Sequence, residues 1–422
     1  MIGKNGVSGA LRGKRRSAAV GLAFAVSVIG IAACGGGDDD NSSSGGTVTY
    51  GLNTELSGPL QIYGLPAVQG LEAAAEDINA DGGIEAGDES FDAAVAAEDN
   101  RSDPSQIVTA ARAVVDAGAI AALGPDLGAI PSYEVFKQND VITFTPAFDL
   151  QGQLMEDPEG NPLLFSPTVF LAELYATNMK QVVAQYPDIK SVAILSPNDE
   201  QGQGTAFAYE AAAKQEGLDV VGVETYPPGQ TDFSSVLTQF KQEQPDLLIA
   251  EQTAEQAQAI LQQAVQLDVA PYALNDVATP DQIQEVPGIE KMTVFISNFS
   301  PTFSPNATIP DYEPEVIFDD EPPAGNPGAA INMYYSYFLL KQAMEEAGTA
   351  TDAAAIAEAL PGQSYDGPFG TCTMSERKEV DCETILDVVE GDDITVLRFP
   401  NPDSVDPSET YTCRGGTCEP QE

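Results

Sequence analysis

Residues 91–123, FDAAVAAEDNRSDPSQIVTAARAVVDAGAIAAL, decide the fold class. A short apolar run, Phe91 to Ala97, passes through a polar turn into an amphipathic stretch, Pro104 to Ala117, and then into a second apolar run, Ile120 to Leu123. Brief apolar runs bounded by turn residues read as buried strands, and apolar residues recurring every three or four positions read as a helix. Asp103-Pro104 has the form of a cap followed by proline at the first helical position, so the helix is expected to start there. Working outward, Thr47 to Leu52 is predicted as a strand and Ala67 to Asn79 as a helix, while Leu127 to Lys137 and Val141 to Phe144 continue the alternation. The pattern restarts with Val192 to Leu195, Gly204 to Glu216, Val220 to Glu224, Phe233 to Gln242, Leu247 to Ala250, Ala254 to Leu267 and Pro271 to Leu274. Apolar strands alternating with amphipathic helices imply a parallel sheet covered on both faces. Two such series predict an α/β protein of two doubly wound parallel-sheet lobes with a crevice between them, where ligands sit beyond the carboxyl ends of the strands.

The ends of the chain bound its class. Lys4, Arg12, Lys14, Arg15 and Arg16 precede an uncharged run from Ser17 to Ala33, the form of a secretory leader. Its apolar core is shorter than the roughly 20 residues a spanning helix needs. Arg15-Arg16 leaves the export route open between two pathways. Ile31-Ala32-Ala33-Cys34 resembles a bacterial lipobox, which implies cleavage before Cys34 and its acylation, and several acyl chains would anchor durably. Gly35 to Gly46 carries no apolar side chain and reads as a flexible tether. The net charge is −47, and loss of the leader would take five of the 18 basic residues and none of the 65 acids, leaving −52. Such a surface repels phosphate backbones, which excludes nucleic acid as a partner. With 43% hydrophobic residues and dispersed charges the chain is nonetheless a folded one. Four cysteines lie late, Cys372, Cys382, Cys413 and Cys418; of three connectivities, the short-range pairs Cys372–Cys382 and Cys413–Cys418 are favoured in an oxidising compartment. Zinc is disfavoured because the spacings lack a C-x2-C knuckle.

Several stretches carry a resemblance. Gly51-Leu52-Asn53-Thr54-Glu55-Leu56-Ser57-Gly58-Pro59 with Tyr63-Gly64, Gly70-Leu71-Glu72-Ala73-Ala74, and Asp77 to Ile84 resemble the opening of the Leu/Ile/Val-binding proteins, the type I periplasmic solute-binding proteins of ATP-binding cassette importers. The likeness continues through Glu98-Asp99-Asn100, Thr145-Pro146-Ala147, Gly202-Gln203-Gly204, Asp232-Phe233 and Tyr365 to Gly370, over roughly residues 47 to 400. It implies three interlobe crossovers near residues 167, 298 and 366. The expected division is a leader (1–33), a tether (34–46), an N-terminal lobe (47–167 plus 299–366), a C-terminal lobe (168–298 plus 367–400) and an extension (401–422). It also implies ligand capture by hinged closure, delivery to a permease and its ATPase, a monomer, and no cofactor. By the same likeness Tyr63 packs on the ligand, and Gly128 stands where the family offers a hydroxyl to a ligand carboxylate, in the loop that holds Asp126. Ala147 offers backbone groups, Asp149 replaces a threonine, Gln201 and Thr253 replace aromatics, and Asp276 matches an acid that pairs with a ligand ammonium. Carboxylates at positions 126, 149 and 276 would repel a carboxylate and favour an amine or a polyol.

Other motifs are weighed against plainer explanations. Asp77-x-Asn79-x-Asp81-Gly82-x-Ile84 with Asp88 twelfth matches a calcium loop, yet the same glycines suit a helix stop. The chain has no histidine, which removes the Ser-His-Asp and Cys-His nucleophiles and every imidazole metal site, so no catalysis is expected. A ligand sensor of the same architecture reporting to a membrane kinase is the alternative to an importer subunit. Pro301 to Pro327 reads as a loop, and Pro400 to Glu422 as a segment held to the surface by the Cys413–Cys418 link.

Overall fold

The computed structural model describes residues 45–125, 128–227, 229–250, 254–276, 278–298, 327–367, 370–414 and 417–421. Cys34, the leader, residues 35–44 of the tether, the proline-rich loop over 301–326 and the path of the second crossover beyond residue 298 lie outside them; the expected tether end at Gly46 is corrected, since Gly46 is already the first residue of a strand. The first sheet holds β1 (Gly46–Thr54), β2 (Ile84–Ala86), β3 (Glu89–Asp99), β4 (Ala119–Leu123), β5 (Ile142–Phe144) and β6 (Leu164–Phe165) in the order β2-β3-β1-β4-β5-β6. All neighbours are parallel except β2 and β3. Helices α1 (Gln61–Ala80), α2 (Ile107–Asp116), α3 (Ala129–Lys137) and α4 (Phe148–Glu156) connect the strands.

In the second lobe α5 (Leu171–Gln185), β7 (Ser191–Pro197), α6 (Glu200–Gln215), β8 (Asp219–Tyr226), α7 (Ser234–Glu243), β9 (Leu247–Ala250), α8 (Ala254–Leu267), β10 (Tyr272–Asn275), α9 (Pro280–Gln284) and β11 (Thr293–Asn298) repeat the plan. Strand β7 shows why the strand runs are apolar throughout. Val192 and Ile194 pack with Tyr175, Met179 and Tyr209, while Ala193 and Leu195 join the cluster of Phe233, Leu237, Phe240 and Ile260. Alternate residues face opposite sides, and helices cover both.

After the stretch from residue 299, α10 (Pro327–Ala347) returns to the first lobe. Its Tyr337 ring meets Tyr50 edge-on at 5.4 Å, and the hydroxyl lies 2.9 Å from the Val48 carbonyl while accepting the Ala94 N–H at 3.0 Å. Next come α11 (Ala353–Ala359) and a three-stranded antiparallel sheet of β12 (Ser364–Gly367), β13 (Gly370–Met374) and β14 (Val380–Asp381). The chain then adds β15 (Thr384–Glu390), β16 (Asp393–Phe399), β17 (Glu409–Arg414) and β18 (Thr417–Pro420) antiparallel beyond β11, so the second sheet has nine strands. Both short-range disulfides are formed, Cys372–Cys382 with Cα atoms 4.4 Å apart and Cys413–Cys418 with 3.9 Å.

Two local expectations need correction. Helix α2 begins at Ile107 rather than at the Asp103-Pro104 pair. Asp103 instead accepts the Ser105 N–H at 2.8 Å within a preceding turn, where a proline fits as well as at a helix start. The Pro400 to Glu422 segment is also more than a surface excursion, since β17 and β18 pair into the sheet as an edge hairpin and bury Tyr411 and Cys413.

At the end of α1, the calcium-like run is spent on folding. Gly82 (φ 105°) and Gly83 (φ 88°) turn the chain, and the Gly83 N–H reaches the Ile78 carbonyl at 2.8 Å. That is a helix stop of the Schellman kind. The Asp77 carboxylate accepts the Tyr334 hydroxyl at 2.8 Å, and the Asn79 side chain donates to the Ala93 carbonyl and accepts the Ala93 N–H.

Candidate functional site

The carboxyl ends of the parallel strands carry the polar loops of both lobes. Beyond β1, Asn53 is fully buried and its amide donates to the Ile107 carbonyl (3.0 Å) and the Ser132 hydroxyl (2.9 Å). Asn100 donates to the buried Glu55 carboxylate at 3.2 Å. Asp99 accepts the Ser57 hydroxyl at 2.7 Å and the backbone N–H groups of Leu56, Ser57 and Arg101. Burial pushes the Asp99 pKa up, but those four donors together hold it below the ordinary value, so the anion is fixed beneath the loop that leads into α1. Tyr63 sits in the first turn of α1, half-buried.

Gly128 caps α3 with a left-handed backbone (φ 66°, ψ 37°). A Cβ there would lie 2.5 Å from Ile107 Cδ1. An L side chain at this torsion costs about 1–2 kcal/mol. Gly128→Ala is expected to destabilise the protein by roughly 2 kcal/mol for that torsion plus the Ile107 clash, read as a lower urea midpoint at unchanged slope.

Beyond β5, Ala147 is extended and buried, its N–H donating to Thr145 Oγ1 at 3.2 Å. Asp149 follows in the first turn of α4, half-buried. Burial raises its pKa, opposed by the Leu150 N–H that it accepts at 2.7 Å. In the second lobe Gln201 lies in the first turn of α6, whose N-cap Asp199 accepts the Gly202 N–H at 2.8 Å. Asp276 lies just past β10 and is 8% exposed. Its neighbour Asn275 holds the turn by donating to the Ala250 carbonyl and accepting the Ala278 N–H at 2.7 Å.

Six sequence candidates, Tyr63, Gly128, Ala147, Asp149, Gln201 and Asp276, thus stand at strand ends of the two sheets, while Asp126 and Thr253 lie outside the described residues. Two further features escaped the sequence reading. Phe148, between Ala147 and Asp149, packs against the aromatic cluster of the second lobe. The hairpin turn from Ser375 to Glu379 touches both lobes: Lys378 donates to the carbonyls of Pro158 and Asn161, and Glu379 accepts the Phe170 N–H at 2.6 Å. A separate shallow recess is lined by Pro167, Val169, Asn332, Tyr365 and Val380.

Two doubly wound lobes with polar loops at their strand ends have the architecture of the solute-binding class, in which ligands sit beyond the carboxyl ends of the strands. The periplasmic binding protein family model matches residues 47–388, and the chain belongs to that family, in its Leu/Ile/Val-binding-protein-like, type I branch. A Leu/Ile/Val-binding protein of Rhizobium johnstonii is 27% identical over 79% of this chain and 89% of that one. Among solved structures, a leucine-binding protein of Thermotoga maritima superposes with a TM-score of 0.65 at 18% identity, covering 89% of this chain and 98% of that one. A solute-binding protein of an R. palustris ABC transporter, in complex with benzoate, gives 0.65 at 13% identity, covering 86% of this chain and 97% of that one. These structural likenesses concern the fold. No helix among the described residues is long and apolar enough to cross a membrane.

Proposed function

We propose that this protein captures a small amine-bearing solute, an amino acid or a relative of one, between its lobes and delivers it to an ATP-binding cassette importer. The reading rests on two buried or half-buried carboxylates, Asp149 and Asp276, placed at strand ends of opposite lobes where a similar scaffold holds its ligand. An acid removed from water favours a cationic partner over an anionic one. The Gly128 substitution points the same way, because it takes a hydroxyl donor from the place where a ligand carboxylate would be received. Backbone N–H groups at Ala129 and Ile130 remain for a carboxylate, whereas Pro131 has none.

In this reading residues 1–33 are a cleaved leader, Cys34 carries the lipid, 34–45 is a tether and 401–422 an extension, so the protein works outside the cytoplasm as a monomer tethered to the membrane. The lobes comprise 47–167 with 299–366 and 168–298 with 367–400. Calorimetry against L-leucine, putrescine, glucose and benzoate tests the solute class. Leucine or putrescine is expected to release or absorb heat with a Kd of micromolar order or tighter, and benzoate is expected not to bind. Tight benzoate binding with none by either amine overturns the reading.

A further inference from the structure

We infer that Phe148 and Gly204 form a knob and seat across the cleft that limits the bulk of the solute and sets how far the lobes close. The inference rests on the solute-binding reading above and adds a specificity-determining pair to it. Phe148 is the first residue of α4, in the first lobe, directly between Ala147 and Asp149. Its ring nevertheless packs into the hydrophobic cluster of the second lobe, with Tyr175, Ala208 and Tyr209 among its members. The point of contact is Gly204, in the first turns of α6 and three residues past Gln201. A Cβ built on Gly204 would lie 2.9 Å from Phe148 Cδ1, 3.1 Å from Cγ and 3.2 Å from Cε1, so even one methyl group would drive ring and helix apart.

Glycine inside a helix is a poor choice next to alanine, because it loses more backbone freedom and buries no side chain. Gly204 therefore has a packing reason, and the atoms that supply it come from the other lobe. The ring also marks where the space for a solute ends. On the hinge side of Phe148, Gln151 of α4 spans to α5 by accepting the Leu171 N–H at 2.8 Å and donating to the Ser166 hydroxyl at 3.0 Å. On this inference Gln151 and the ring close that flank, and the solute lies on the side that carries Tyr63, Gln201 and Asp276. A compact side chain is therefore expected to bind more tightly than a fused-ring one.

The test uses the full mature chain as wild type, Phe148→Ala, Gly204→Val and the double variant. A fluorophore pair, one on each lobe, reports interlobe distance without added solute, and calorimetry reports affinity for L-leucine and L-tryptophan. Gly204→Val is expected to lengthen the interlobe distance and to weaken leucine binding at least tenfold. Removing the ring in the double variant is expected to restore both. Phe148→Ala alone is expected to move the leucine-to-tryptophan affinity ratio at least tenfold toward tryptophan. Gly204→Ala supplies a milder variant: alanine favours the helix, so a fall in its melting temperature reports the contact with the ring and should be relieved, like the longer distance, by adding Phe148→Ala. Unchanged distance in both Gly204 variants, or a double variant as impaired as Gly204→Val, overturns the inference. If neither amino acid binds the wild type, the distance and its rescue by Phe148→Ala still decide whether the seat exists, and the solute reading fails separately.

Discussion

Asp276→Asn is expected to weaken binding of an amine-bearing solute by about 30-fold to several thousand-fold. The lower figure follows from a loss of about 2 kcal/mol and the upper from about 5 kcal/mol, the range for truncating one partner of a desolvated charge pair. The asparagine keeps the shape and removes only the charge, so the loss reports the charge. At 8% exposure Asp276 is shielded from the solvent screening that makes surface ion pairs weak. The turn that presents it is held by Asn275, through the Ala250 carbonyl and the Ala278 N–H, so melting should change little. Calorimetry with L-leucine or putrescine, paired with thermal melting, makes the measurement. Equal dissociation constants for the two proteins would remove Asp276 from the site. A parallel collapse of the melting temperature would mean that the acid serves the fold instead.

Strand and helix positions of both lobes were legible because parallel strands buried on two faces leave unbroken apolar runs such as Val192 to Leu195 and Leu247 to Ala250, and their helices keep one apolar face. The helix stop at Gly82-Gly83 was legible for a similar reason, since glycine is the residue that torsion asks for. Illegible parts had another origin. Strands β17 and β18 form an edge hairpin, in which only alternate residues are buried, so Pro, Asp and Ser nearby masked Tyr411 and Cys413. At the site, the family resemblance pointed to residues that stand at strand ends, whereas nothing in the sequence signalled the lobe on which a ring settles. The partner of Phe148 is a glycine 56 positions later, a pairing with no periodicity to announce it. Ser375-Glu376-Arg377-Lys378-Glu379 is wholly polar and reads as a solvated turn. Glu379 is nonetheless 2% exposed, because three chain segments from two lobes converge on it.

That convergence is expected to make the crossover turn respond to pH. Glu379 accepts the Phe170 N–H at the start of α5, at 2.6 Å, and lies 3.1 Å from the Arg377 guanidinium, which also pairs with Glu173. The strand before α5 meets the turn at Ser166, whose N–H donates to the Lys378 carbonyl at 2.8 Å. Burial raises the Glu379 pKa from 4.5 to about 7; the Phe170 N–H and Arg377 oppose the shift, while Glu173 and Asp381 add to it by repulsion. Lys378 is turned away to the carbonyls of Pro158 and Asn161. A carboxyl group whose pKa is higher folded than unfolded contributes stability fully below pH 4.5, and loses it as pH rises through 7. At about 1.4 kcal/mol per unit, discounted because the half-exposed Arg377 is screened, the change is on the order of 2 kcal/mol. Glu379→Gln keeps the neutral form at every pH. The difference in melting temperature, wild type minus variant, is therefore expected to fall by several degrees between pH 5 and pH 8.5, with most of the fall between pH 5 and pH 7 and a plateau above it. Taking the difference cancels the general effect of the other acids. Because the turn grips both lobes, affinity for L-leucine should change as pH passes through about 7 in the wild type and stay level there in the variant. A melting difference that stays flat across this range would show that Glu379 titrates as an ordinary surface acid and that the crossover turn carries no proton-linked strain.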